Sequence, residues 1–103
     1  MSELHKNEAS KKDEKQAFYN RLQEELNKNT NWPMKYMYKF IVPNIEKIAQ
    51  NVSDKFPDNV KLNKNYSRSG KYISITIITT EKNSGDIINR YKSMEDIEGL
   101  ISL

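Results

Sequence analysis

The stretch Met34-Lys35-Tyr36-Met37-Tyr38-Lys39-Phe40-Ile41-Val42 decides the fold, because its side chains alternate with a period of two. Met34, Tyr36, Tyr38, Phe40 and Val42 share one apolar face, while Lys35, Met37, Lys39 and Ile41 share a mixed one. A segment of this kind is a strand with one face in a core.

Working outward, Pro43-Asn44 breaks the strand and offers Asn44 as an N-cap. Ile45, Ile48, Ala49, Val52 and Phe56 then mark one face of a helix that Pro57 ends. Val60 to Tyr66 alternates again, with a polarity that suits a sheet edge, and leads into a Ser67-Arg68-Ser69-Gly70 turn. Lys71 to Thr80 (KYISITIITT) is rich in β-branched residues and predicts a central strand with Ile73, Ile75 and Ile77 inward. Asn83 and Asp86 have the spacing of a capping box, so Ile87, Ile88, Tyr91 and Met94 carry a second helix. Ile97 to Leu103 predicts a last strand, with Gly99 as a bulge.

Upstream, Phe18, Leu22 and Leu26 recur every four residues in a helix-favouring context from Asp13 onward. Residues 1–12 are polar and aperiodic, and are expected to form a disordered tail. The domain plan is therefore a tail over 1–12, a helix and linker over 13–31, and a folded domain over 32–103. The element order of that domain, βαββαβ, predicts an α+β, ferredoxin-like sandwich. Its four-stranded antiparallel sheet takes the order 4-1-3-2, both helices cover one face, and an extra N-terminal helix precedes it. The opposite face, with Met37, Ile41, Tyr72 and Ile78, is left for the N-terminal helix or a second copy to cover.

The chain has 103 residues, 30% of them charged, and a mean hydropathy of −0.89. One small domain is all that this length supports. Without cysteine, disulfides, thiolate nucleophiles and Cys-ligated metals are excluded, and the one histidine, His5, lies in the leader. No glycine-rich phosphate loop is present, so the chain is expected not to be an enzyme and to carry no cofactor and no metal. No segment approaches the roughly 18 apolar residues of a membrane span, and no apolar leader begins the chain. The expected location is cytoplasmic. Charges cancel over residues 1–31, so the whole net charge of +3 belongs to the domain.

Two sets of residues are candidates for function. Lys35, Lys39, Arg68 and Lys71, with Ser67, Ser69, Gly70 and Tyr72, could converge on a small anionic ligand or form an interface. The same cations could equally be solvated edge charges, the turn could merely close a hairpin, and the stripe of Tyr36, Tyr38 and Phe40 reads as core. Phe18, Leu22 and Leu26 could dock a helix into a groove on a protein partner. Glu95, Asp96 and Glu98 read as a solvated acidic loop. RNA binding on the open face is disfavoured, because Met37 stands where a base-stacking aromatic is wanted.

Three motifs agree in order and spacing with a known group. Tyr36-Met37-Tyr38-Lys39-Phe40, Ser67-Arg68-Ser69-Gly70-Lys71-Tyr72-Ile73-Ser74 and the ending Ile97 to Leu103 resemble the YbeD-like family of uncharacterised small bacterial proteins. Phe18-Tyr19-x-x-Leu22 resembles the longer version of that family, with an extra N-terminal helix. The resemblance implies a ferredoxin-like fold similar to the ACT regulatory domains, which bind small metabolites at the interfaces of homodimers. It implies no reaction and no catalytic residues.

Overall fold

The computed structural model describes the backbone of residues 2–103 and the side chains of residues 13–103. His5 and Leu4 therefore lie outside the described side chains. The chain divides into two units, Met1–Asn31 and Trp32–Leu103.

The first unit is a helix, α1, running Ser2–Asn27. It takes in most of the segment for which the sequence reading assigns a tail. No glycine or proline interrupts residues 2–27, and helix-favouring Glu, Lys, Ala and Leu recur along them, so propensity extends the helix beyond the apolar stripe. On α1 the rings of Phe18 and Tyr19 meet edge to face at 5.7 Å. Lys28 closes an exposed ion pair with Glu25, and Asn29 donates to the Leu26 carbonyl at the helix end.

The second unit is the βαββαβ domain. Its elements are β1 (Met34–Pro43), α2 (Glu46–Asp54), β2 (Lys61–Tyr66), β3 (Tyr72–Glu81), α3 (Ser84–Ser93), a 3₁₀ turn at Met94–Asp96, and β4 (Ile101–Ser102). The sheet order is β2-β3-β1-β4 and every neighbouring pair is antiparallel, as the element order predicts. β1 pairs with β3 over its full length, from Met34 opposite Glu81 to Pro43 opposite Tyr72.

The alternation in β1 becomes a two-sided sheet. Tyr38, Phe40 and Val42 are fully buried against Ile73, Ile75 and Ile77 of β3, and against Ala49, Val52, Phe56 and Ile87 from the helical layer. Rings of Tyr38 and Phe40 touch both Phe56, just beyond α2, and Tyr91 of α3, so both helices cover the same face. Each fully buried Phe or Ile here contributes about 1.5–3 kcal/mol. Lys35, Met37, Lys39, Tyr72 and Ser74 remain exposed on the other face.

Three local readings need correction. Asn44 does not cap α2: Ile45 occupies that position, half exposed and with no side-chain cap, because the Asn44 amide donates instead to the Gly70 carbonyl at 2.8 Å. Asn83 does cap α3, its side chain accepting from the Asp86 N–H at 2.8 Å. The last strand is only Ile101–Ser102, since Ile97 is buried in the core after the 3₁₀ turn and Gly99 turns the chain toward β4 rather than bulging a strand.

Gly70 and Gly99 both have φ +75°, a conformation that favours glycine. A Cβ at Gly70 meets open space, whereas one at Gly99 falls 2.8 Å from Pro43 Cγ. Gly70→Ala should therefore cost about 1–2 kcal/mol from backbone strain alone, and Gly99→Ala clearly more. Urea denaturation of both variants checks the order, and equal losses would contradict it.

Candidate anion-binding cleft

A difference in strand length creates a notch at one end of the sheet. β3 continues to Glu81, but β2 begins at Lys61, opposite Ile78, so Thr79 and Thr80 have no neighbour on that side. The connection after α2, with Pro57 and Asn59, runs past the gap. The resulting cleft has a volume of about 350 Å³ and is lined by Lys35, Pro57, Asn59, Lys61, Ile78, Thr79, Thr80 and Arg90. That volume is at the lower end for small-molecule sites.

The register brings the two lysines together. Lys35 is opposite Thr80, and Lys61 is opposite Ile78, two residues earlier on the same face of β3. Their strands are two lanes apart, about 10 Å, a gap that two long lysine side chains can span from either side. No carboxylate lines this cleft. Two other hollows, near α3 and α2, are lined by Asp86 and by Asp54 and Asp96 respectively, so their charge is mixed.

Arg90, on the cleft wall, is held by its neighbours. Its NH2 donates to Glu81 Oε1 at 3.0 Å, its Nε to Glu81 Oε2 at 3.4 Å and its NH1 to the Lys55 carbonyl at 3.0 Å. The guanidinium lies 4.7 Å from the centre of the Phe56 ring. Glu81 is only 4% exposed and also accepts from the Tyr38 hydroxyl. Desolvation by burial, and then the bond to Glu81 and its charge, push the Tyr38 hydroxyl well above the ordinary tyrosine range, against a smaller pull from Arg90. Tyr91 is pushed up by burial first, and then by its hydroxyl contact with Tyr36 at 2.9 Å. This network commits the Arg90 guanidinium to protein partners, so Lys35 and Lys61 are the other cations of the lining.

The sequence-predicted cations do not converge. Lys35 lies eight residues from Pro43, which pairs with Tyr72, so about 26 Å of strand separates it from the Ser67–Tyr72 hairpin. Lys39 lies midway, opposite Thr76. Within the hairpin several N–H groups and both serine hydroxyls are paired internally. Gly70 N donates to Ser67 O at 2.9 Å, Lys71 N to Ser69 Oγ at 3.3 Å and Tyr72 N to Ser67 Oγ at 3.0 Å. Those N–H groups are committed to closing the turn rather than to holding an anion. Arg68 and Lys71 are exposed beside them, and Tyr72 is half exposed.

On α1, Phe18 is 50% exposed, Leu22 is partly covered and Leu26 is buried. In the acidic loop, Asp96 makes an ion pair with Lys55 at 3.2 Å. Among the described residues, no group of three His, Cys, Asp or Glu could hold a metal ion, and no helix is long and apolar enough to cross a membrane.

Sequence reasoning missed Lys61, Asn59, Thr80 and the Glu81–Arg90 pair. Glu81 did leave a trace: it ends a β-branched strand in phase with Ile73, Ile75 and Ile77, and so falls on the buried face.

A family model described as "Protein of unknown function (DUF493)" matches residues 27–102, in agreement with the motif resemblance. No curated protein and no solved structure matches the chain.

Removing one member of the buried pair strands the other. Glu81→Gln and Arg90→Met should each cost about 3 kcal/mol, and the double variant less than the sum. A double-mutant cycle in urea measures this, and strict additivity would contradict the pairing.

Proposed function

We propose that this chain, which belongs to the DUF493 family of proteins of unknown function, is a non-enzymatic regulatory domain that senses a small anionic metabolite. The observation that carries the reading is a cleft with two lysines and no carboxylate among its lining residues. Two ammonium groups favour a ligand with two negative charges, such as a phosphate ester or a dicarboxylate, over a single carboxylate. Asn59 and Thr80 supply neutral hydrogen-bonding groups, and Ile78 and Pro57 an apolar wall.

Several features favour sensing over catalysis. Glu81, which follows cleft-lining Thr80, is buried and paired with Arg90 and Tyr38, so it is not placed to move a proton to or from a ligand. The resemblance to ACT regulatory domains points in the same direction. A homodimer of that kind would have to form away from the open sheet face. There, Lys35, Lys39 and Lys61 would oppose their own copies, with no acidic residue to offset them.

Ligand-dependent stability tests the reading in the full chain. Inorganic phosphate and succinate should raise the unfolding free energy saturably, by about 2.7 kcal/mol at a hundredfold excess over Kd, while chloride at equal ionic strength should not. Lys35→Ala with Lys61→Ala should abolish the effect. No stabilisation by either dianion, or an equal effect in the double variant, would overturn the proposal.

A further inference from the structure

The edge of β1 is only partly paired. On one side β1 meets β3 from Met34 to Pro43, but on the other side β4 covers only Phe40 and Ile41, with Leu103 N donating to Lys39 O at 2.9 Å. Beyond Lys39, toward Met34, no strand lies beside β1 in the sheet. Because main-chain groups of alternate residues point to the same side of a strand, the orientation of Lys39 O fixes that of its neighbours. The N–H and C=O of Met37 and Lys35 point away from β3, to the side on which no described strand pairs with them, whereas those of Tyr36 and Tyr38 point toward β3.

An open edge of this length is a place where another extended chain can pair. The side chains along it say which one. On the open face the lane is bordered by Lys35, Met37 and Lys39, of which Met37 is 51% exposed. Of the eight acidic residues of the domain (Glu46, Asp54, Asp58, Glu81, Asp86, Glu95, Asp96, Glu98), only Glu81 is on a strand, and it is buried. The border therefore reads basic, apolar, basic at every second residue. A second copy of β1 would bring further lysines to this border, and RNA would find no aromatic ring along it.

We propose that the Lys35–Lys39 edge of β1 binds an extended acidic segment of a partner protein, which adds to the sheet in line with β4. The segment carries acidic side chains two residues to either side of an apolar one, so that the acids face Lys35 and Lys39 and the apolar residue covers Met37. This surface meets the cleft at Lys35, which belongs to both, but Lys39 and Met37 do not line the cleft and Lys61 does not border the edge, so Lys39 and Lys61 tell the two readings apart.

The test uses the full chain and two labelled nine-residue peptides, one with the acid-x-valine-x-acid pattern and one with lysine in place of each acid. Fluorescence anisotropy should show saturable binding of the acidic peptide alone, weakened about tenfold by Lys39→Glu and unchanged by Lys61→Ala. Amide hydrogen exchange reads the pairing. In the free protein the Met37 N–H should exchange faster than those of Tyr36 and Tyr38, and the acidic peptide should slow Met37 and Lys35 selectively. Three outcomes would overturn the proposal: no binding up to millimolar peptide, equal binding of the lysine peptide, or binding that leaves Met37 exchange unchanged. Displacement of the bound peptide by single-stranded RNA at equal concentration would overturn the choice of partner.

Discussion

Burying a carboxylate at the end of a strand is costly unless it is fully paired, and the domain is organised around how Glu81 meets that demand. Its partner, Arg90, reaches from α3 with two of its nitrogens on the carboxylate and a third on the last carbonyl after α2. One side chain thus ties β3, α3 and the end of α2 together, and its flat cation packs on Phe56. Tyr38 completes the set from β1, so each of the two central strands contributes to the same buried cluster. Most of the polar chemistry on the helical side of the sheet is consumed internally.

The open side is the complement of this arrangement. The acidic residues of the domain are used on the helices, in loops or in the buried pair, and the lysines of the open face are left without carboxylates among their sheet neighbours. Apolar side chains such as Met37, Ile101 and Tyr72 stand exposed around them. A face that is basic and partly apolar, on a domain whose net charge is only +3, reflects the placement of charges more than their number. Placement also separates the two ends of the sheet. One end holds the cleft made by the late start of β2; the other holds a hairpin whose hydroxyls and amides close on themselves.

The strands and their order were legible because alternation in Met34–Val42 and the β-branched run to Thr80 leave one face to bury, and a one-residue slip would have exposed Tyr38 and Phe40. α3 was legible from Asn83 and Asp86, which are local in sequence. What escaped was set by pairing across distance. The short β4 depends on Ile97 being drawn into the core, and the role of Asn44 depends on a hairpin 26 residues away. The grouping of Lys35 with Arg68 and Lys71 failed for a related reason. Alternation assigns a residue to a face, but only the β1–β3 register assigns it to an end. Lys61 and Thr80 were missed because the notch comes from unequal strand lengths, which no local motif encodes.

The ligand-facing end of the sheet in this reading is the Lys35 end, and the hairpin does not hold an anion. Amide chemical-shift mapping of the full chain during titration with inorganic phosphate tests it directly. Saturable shifts are expected at Asn59, Lys61, Thr79 and Thr80, with none at Ser67 to Tyr72. Shifts centred on the Ser67–Tyr72 hairpin, with the cleft silent, would contradict it.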